Sequence, residues 1–247
     1  MKPGIQLYTL RQQMEKDYLG TLARVAEIGY RDLEFAGYGG FSANELREHC
    51  HELGLTPRST HIPFDQLNED EIAYAKTLGV SYLVCPWLSP EMRTSIQSFE
   101  RVADRLNEVG EKVKLYGLTL LYHHHDFELT MKNDAGQTAL DVMLSRVPAD
   151  RLKLEMDVYW AEYAGYSAIS LLKTYGDRCV ALHVKDMSAS EDREYCEVGA
   201  GVLDFAEIFS VAPHIDAHFV EQDQCPGDPF VSIAQSFAYL KDTLHAF

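Results

Sequence analysis

The sequence predicts an α/β protein folded as a single closed (β/α)8 barrel, and three observations carry that prediction. A unit made of a helix-like stretch, a glycine and a short apolar strand recurs in AEIGYRDLEFA, HELGLTPRSTH, AKTLGVSYLVCP, KLYGLTLLYHH and TYGDRCVALHV. Eight strand-like segments are spread over 247 residues, at the spacing of one strand plus one helix. No glycine-rich phosphate loop follows any of them, which weakens the alternative of an open, doubly wound dinucleotide-binding sheet.

Taken in order, GIQLYTL is the first strand, and helical periodicity over residues 18–28 leads to Gly29 and the second strand, DLEFA. Residues 43–53 form the next helix, followed by Gly54 and LTPRSTH, and residues 69–78 the next, followed by Gly79 and YLVCP. The three glycines stand 25 residues apart. Glycine just past a helix end enters the left-handed region at little steric cost, so each is read as a helix stop. A long helical pattern over 91–115 precedes LTLLYHH, after which LKLEMDV, CVALHVK and AHFVEQD complete the set and residues 232–244 form a last helix. No linker interrupts this series, so one domain is expected over 1–247.

Composition narrows the function classes. The hydrophobic fraction is 46% and the charged fraction 24%, ordinary for a globular domain, and no apolar run reaches the roughly 20 residues a membrane helix needs. The N-terminal MKPGIQLYTLRQQ enters a strand pattern without an extended apolar region, so a cytoplasmic location is expected. A net charge of −16, from 38 acidic and 22 basic residues without a basic run, argues against nucleic acid as a partner. The five cysteines lack any C-x-x-C pair and fit reduced thiols.

In such a barrel the chemistry gathers at the C-terminal ends of the strands. There the sequence places Glu34, His61, His123, His125, Glu128, Asp157, His183, Lys185, Glu221 and Asp223. Buried without partners, such groups cost several kcal/mol each, so they need one another, water or a metal. Strand parity puts His123 and His125 on one face, sends His124 the other way, and pairs Asp157 with Glu155. Glu128, Asp157, His183 and Glu221 supply hard oxygens and one imidazole, a set suited to one divalent ion of Mn, Mg, Co or Zn.

The chain resembles the xylose-isomerase-like TIM-barrel family, often called sugar phosphate isomerases/epimerases. The resemblance runs over nearly the whole sequence and rests on GIQLYTLR, YHHHDFE, LEMDVYW, LHVKD, EVGAG and FVEQD. It implies one divalent metal held by Glu, Asp, His and Glu at the last four strands, in keeping with the 26 residues from Asp157 to His183. Two departures stand out. Many relatives carry the first glutamate where this chain has His123, with Glu128 five residues further on, a variant that resembles the branch of inosose dehydratases and 3-keto-sugar enzymes. Trp160 stands where relatives with a second metal carry histidine, which makes a multi-zinc endonuclease unlike this chain.

The expected function is therefore isomerisation or epimerisation of a sugar or keto-polyol through an enediolate, with dehydration of a 3-keto sugar or inosose as the alternative and a non-catalytic sugar-binding barrel as a different class. In this reading Glu221 and Glu128 double as bases, His123 or His125 carries a further proton, and Lys185 stabilises an oxyanion or only pairs with Asp186. Substrate contacts are expected from Glu34, His61, Trp87, Trp160, Lys185 and Glu197, each of which has an ordinary packing role as its alternative. QDQCPGD is expected at the rim, and His49, His51, His214 and His245 as surface or packing residues. A small carbohydrate is the expected partner, and a homo-oligomer is compatible with the sequence.

Overall fold

Eight strands close into a parallel barrel: β1 (Gly4–Gln6), β2 (Asp32–Phe35), β3 (Thr56–His61), β4 (Tyr82–Cys85), β5 (Thr119–His123), β6 (Lys153–Asp157), β7 (Cys179–Val184) and β8 (Ala217–Val220). Each strand pairs with its neighbours in sequence, and β1 pairs with β8 to complete the ring. The protein is described by a computed structural model covering residues 3–215 and 217–244, so His245 lies outside the described residues. Parallel pairing demands a crossover after each strand, and helices supply it. No helix among the described residues is long and apolar enough to cross a membrane.

The glycine stops have the predicted conformation, with φ of 125° at Gly29, 68° at Gly54 and 95° at Gly79. Helices occupy Tyr18–Ile28, Ala43–Glu52 and Glu69–Leu78, where the periodicity places them. The first strand is shorter than expected. The Gln6 side chain accepts the Tyr8 N–H at 2.9 Å, which turns the chain into a 3-10 turn over Leu7–Leu10. The long helix begins at Ile96 rather than 91, because Ser95 caps it and Pro90–Met92 forms a separate 3-10 turn. The last helical stretch starts three residues earlier than predicted, since Asp228 caps Pro229–Ala238 and proline occupies its first turn, and it continues as a π-helix over Tyr239–Thr243, so its end is close to the predicted one.

Two apolar layers flank the barrel wall. Outward-facing strand residues pack against the helices, while Val84, Leu121, Ala181, Ala217 and Phe219 fill the N-terminal half of the interior. Burial of each large side chain contributes on the order of 1.5–3 kcal/mol. Closure of the ring needs Gly4, where a Cβ would lie 2.4 Å from the His218 carbonyl oxygen. Two residues further along, Leu121 gives way to His123, Ala181 to His183 and Phe219 to Glu221, and the site begins there.

Candidate active site

Strand alternation carries Gln6, Glu34, His61, His123, Glu155, Asp157 and His183 to the C-terminal half of the interior. Register irregularities fall at Leu33/Glu34 and at Leu154/Glu155, so both buried glutamates follow a local kink that re-aims a side chain. Glu34, Glu155, Asp157 and His183 are fully buried.

Three of the four predicted metal-ligating residues meet. Asp157, His183 and Glu221 each offer an atom within 4.8 Å of the others. His183 Nδ1 lies 2.8 Å from Glu221 Oε2 and 3.9 Å from Asp157 Oδ2. Asp157 Oδ1 accepts the Trp160 N–H at 3.0 Å and so caps the helix Val158–Tyr163. The fourth, Glu128, is not brought to this group. Its Oε1 accepts the Tyr122 hydroxyl at 2.5 Å and its Oε2 accepts the His125 N–H at 2.8 Å. Tyr122 alternates with Leu121 and His123 and faces the helix layer, so its partner lies behind the barrel wall. His123 is the strand-five side chain that approaches Asp157, with Nε2 3.9 Å from Oδ2.

Beneath the three lies a network of carboxylates and imidazoles. Glu34 Oε2 accepts from the Gln6 amide at 2.8 Å and lies 2.6 Å from His183 Nε2 and 3.1 Å from His61 Nε2. Glu155 Oε2 is 3.0 Å from His61 Nε2 and 3.3 Å from His123 Nδ1. Burial alone would raise Glu34; the fields and hydrogen bonds of His61 and His183 overcome it and hold the carboxyl well below the usual range. The same partners act in reverse on the rings. Burial opposes charge on His61, but Glu34 and Glu155 raise it to about 9, and Glu155, Glu221 and Glu34 raise His183 well above an ordinary histidine.

At His123 and His125 the surroundings favour the neutral ring. Burial pushes both well below the ordinary histidine value, and the surrounding positive charges push the same way. Burial would also raise the two carboxylates at the mouth. Glu221, which accepts from His183 and Lys185, is held low in spite of it. Asp157 is raised to about 6, because burial outweighs the lowering by Lys185, whose Nζ is 3.0 Å from Oδ2, and by His183, and the Glu221 charge raises it further.

A cavity of about 810 Å³ opens above this layer. His61, Trp87, His123, His125, Trp160 and Glu221 line it, as the sequence expects, joined by Asp223, Arg93 and Tyr38. Three expected substrate contacts are placed elsewhere. Glu34 lies under His183, away from the lining, which from this part of the chain is supplied by Ala36, Gly37 and Tyr38 just past β2. Lys185 is 1% exposed and pairs with Asp157, Glu221 and Asp223. Its expected partner Asp186 instead accepts the backbone N–H groups of Met187, Gly199, Gly201 and Leu203. Glu197 turns to the last helix, where the Ser232 hydroxyl donates to it at 2.7 Å.

His124 points away from the mouth, as parity predicts, and its Nε2 accepts the Asp157 N–H at 3.3 Å. The QDQCPGD segment is placed at the rim, where Gln224, Cys225 and Pro226 line a smaller cavity of about 360 Å³ with Trp160. The sequence reading missed Gln6 as a site residue, although it stands two positions after Gly4 on the same face of β1. That period-two relation is the signal that finds it.

The donor set fits a divalent ion. Two carboxylates and one imidazole converge within a coordination sphere, and the buried Asp157 Oδ2 lacks a hydrogen-bond donor.

A parallel eight-stranded barrel gathers, at its C-terminal mouth, carboxylates and imidazoles that could hold a metal ion. The model of the family "xylose isomerase-like TIM barrel" matches residues 22–220, and the chain belongs to that family. An inosose dehydratase of Clostridium beijerinckii is 23% identical over 167 residues, covering 59% of this chain and 55% of the relative, so the match spans about half of that protein. The crystal structure of a sugar phosphate isomerase/epimerase from Parabacteroides distasonis superposes with a TM-score of 0.83 at 23% identity, covering 98% of this chain and 94% of that one. The IolI protein with a bound zinc atom superposes with a TM-score of 0.78 at 17% identity, covering 100% of this chain and 99% of that one. At these identities the structural likenesses establish the fold.

Proposed function

We propose that this protein is a divalent-metal-dependent enzyme that removes a proton beside a carbonyl of a sugar or keto-polyol and so isomerises or epimerises it. The observation that supports this reading is the meeting of Asp157, His183 and Glu221 at a cavity that Glu221, His123 and His125 line. The ion, held by these three residues, would supply the Lewis acidity that polarises the carbonyl and its neighbouring hydroxyl.

The chain's own residues do the rest. Glu221, kept ionised by Lys185 and His183, is a base on one side of the cavity. His123 and His125, kept neutral by burial, accept or return the proton elsewhere on the substrate. Return to the opposite face gives an epimer, and return to the neighbouring carbon gives an isomer. Trp87 and Trp160 offer aromatic faces to the ring. Glu128 fixes the backbone at His125 through its accepted N–H.

Dehydration is the second reading, favoured by the similarity to an inosose dehydratase, since loss of a β-hydroxyl begins with the same proton removal. Incubation of the metal-loaded protein with keto sugars and inososes in D2O tests both. Deuterium gained without loss of mass supports isomerisation or epimerisation, and loss of 18 mass units, that of one water, supports dehydration. Neither deuterium exchange nor mass loss with any candidate would leave the barrel as a sugar-binding protein without turnover.

A further inference from the structure

Three imidazole nitrogens surround one buried carboxylate oxygen below the mouth. Glu155 Oε2 lies 3.0 Å from His61 Nε2, 3.1 Å from His183 Nε2 and 3.3 Å from His123 Nδ1. One ligand atom from each of the four residues fits within 4.8 Å of the others. A tetrahedral zinc site with bonds of about 2.0–2.1 Å has ligand-to-ligand edges of about 3.3 Å. The spacing around Glu155 Oε2 is close to that edge.

Hydrogen bonding accounts for only part of this crowding, since His61 Nε2 bonds to Glu155 Oε2 and His183 Nε2 to Glu34 Oε2 at 2.6 Å, which leaves His123 Nδ1 without a bond. His123 Nδ1 and Glu155 Oε1 are left buried without a hydrogen-bond partner. Such orphans are expensive unless something outside the protein satisfies them. Charge points the same way: Glu34, Glu155, Asp157 and Glu221 are all buried here, Lys185 is the one lysine or arginine among the ion pairs described for them, and the other positive charge beside them is carried by the His61 and His183 rings, whose protons an ion would replace.

We propose that His61, His123, Glu155 and His183 form a second divalent-cation site, separate from the Asp157, His183 and Glu221 set. Three imidazoles and one carboxylate select zinc or cobalt over magnesium, whose preference is for oxygen ligands. The two sites share one ring: His183 presents Nε2 to this set and Nδ1 to Asp157 and Glu221, so with both ions bound the ring is an imidazolate whose last N–H proton has passed to solvent. An ion enters from the cavity, which His61 and His123 both line. The second site stands on its own donor geometry and does not require the sugar chemistry proposed above.

The test is metal stoichiometry of the full chain. After chelator treatment and dialysis, the protein is titrated with Zn²⁺ by calorimetry and with Co²⁺ by visible absorbance, and metal content is measured after gel filtration. Two equivalents per chain are expected in the wild type, with the visible bands of four-coordinate Co²⁺ on filling the deeper site. Glu155→Gln and His61→Ala should each bind one equivalent and lose those bands, and Asp157→Asn should keep them. His61 is at the cavity edge, so its alanine variant serves if the Glu155 variant does not fold. One equivalent in the wild type, abolished by Asp157→Asn and untouched by His61→Ala, overturns the second site and leaves the first standing. Two equivalents that all three variants retain overturn both.

Discussion

The Lys185 ammonium lies 2.7 Å from Glu221 Oε2, inside the barrel, and 3.0 Å from Asp157 Oδ2. It therefore stands against two carboxylates of the candidate metal set. Burial alone would favour the neutral amine, but Asp157, Asp223 and Glu221 outweigh it and hold the lysine well above its ordinary value. Lys185→Met leaves those carboxylates without this counter-ion. Breaking a buried ion pair by removing one partner costs about 3–5 kcal/mol. The metal-free variant should lose stability of that order in denaturant titrations, and Mn²⁺ or Zn²⁺ should raise its Tm more than that of the wild type. An equal metal response in both proteins would show that the ammonium and the metal do not act on the same carboxylates.

Asp157→Asn separates binding from folding. The aspartate is raised to about 6 from its ordinary 3.8, with burial the largest cause, so above pH 4 the folded state holds a proton that the unfolded chain has released. Stability tied to this group thus falls as pH rises from about 4 through 6, and a neutral asparagine avoids that loss. Metal-free Asp157→Asn should be at least as stable as metal-free wild type at pH 8. Its affinity at the Asp157, His183 and Glu221 set should fall by more than the roughly 10–100-fold typical of outer-sphere changes, and deuterium exchange into substrate should cease. Undiminished exchange at saturating metal would remove Asp157 from the mechanism.

Much of this site is legible in the sequence because a barrel converts strand ends into neighbours. Once eight strands are counted, Asp157, His183 and Glu221 must approach one another although they are far apart in the chain. Parity is equally readable for His123 and His124, since a period of two admits only two faces. What parity does not carry is direction after a strand ends. Glu128 lies in the short helix Phe127–Thr130, where a turn of backbone decides whether it faces the mouth or Tyr122. Lys185 and Glu197 show the same limit, since their partners Asp223 and Ser232 come from distant segments and no local pattern announces them.

Glu128 gives a pH signature. Burial is the main cause that raises its carboxyl from an ordinary 4.5 to about 7, against the donors Tyr122 and His125 that lower it. Between those two values the folded state binds a proton that the unfolded state has lost, so this group's contribution to stability declines as pH rises from about 4.5 through 7. The full loss is on the order of 3 kcal/mol above pH 7. Glu128→Gln removes the titration and keeps both contacts if the Tyr122 hydroxyl accepts rather than donates. Urea midpoints measured from pH 5 to 8 should fall for the wild type and stay flatter for the variant. Parallel pH profiles would show that Glu128 is ionised throughout.

Asp186 closes the loop after β7, and its substitution should loosen that loop before it disturbs the barrel. Its Oδ2 accepts the Gly199 and Gly201 N–H groups at 2.9 and 3.0 Å, and its Oδ1 accepts those of Met187 and Leu203 at 2.8 and 3.2 Å. Asparagine has one acceptor oxygen, so its amide would face two of these donors, and each buried group left unsatisfied costs about 1–3 kcal/mol. Gly201→Ala attacks the same contact from the other side, because a Cβ would lie 2.3 Å from Asp186 Oδ1 and 2.3 Å from the Met187 carbonyl oxygen. Both variants should show faster hydrogen exchange at residues 199, 201 and 203 and earlier protease cleavage in the exposed stretch 189–194, with barrel-strand amides protected as in the wild type. Unchanged exchange at those three amides in Asp186→Asn would mean that the loop is held by other contacts, such as the antiparallel pairing of Met187 with Tyr195.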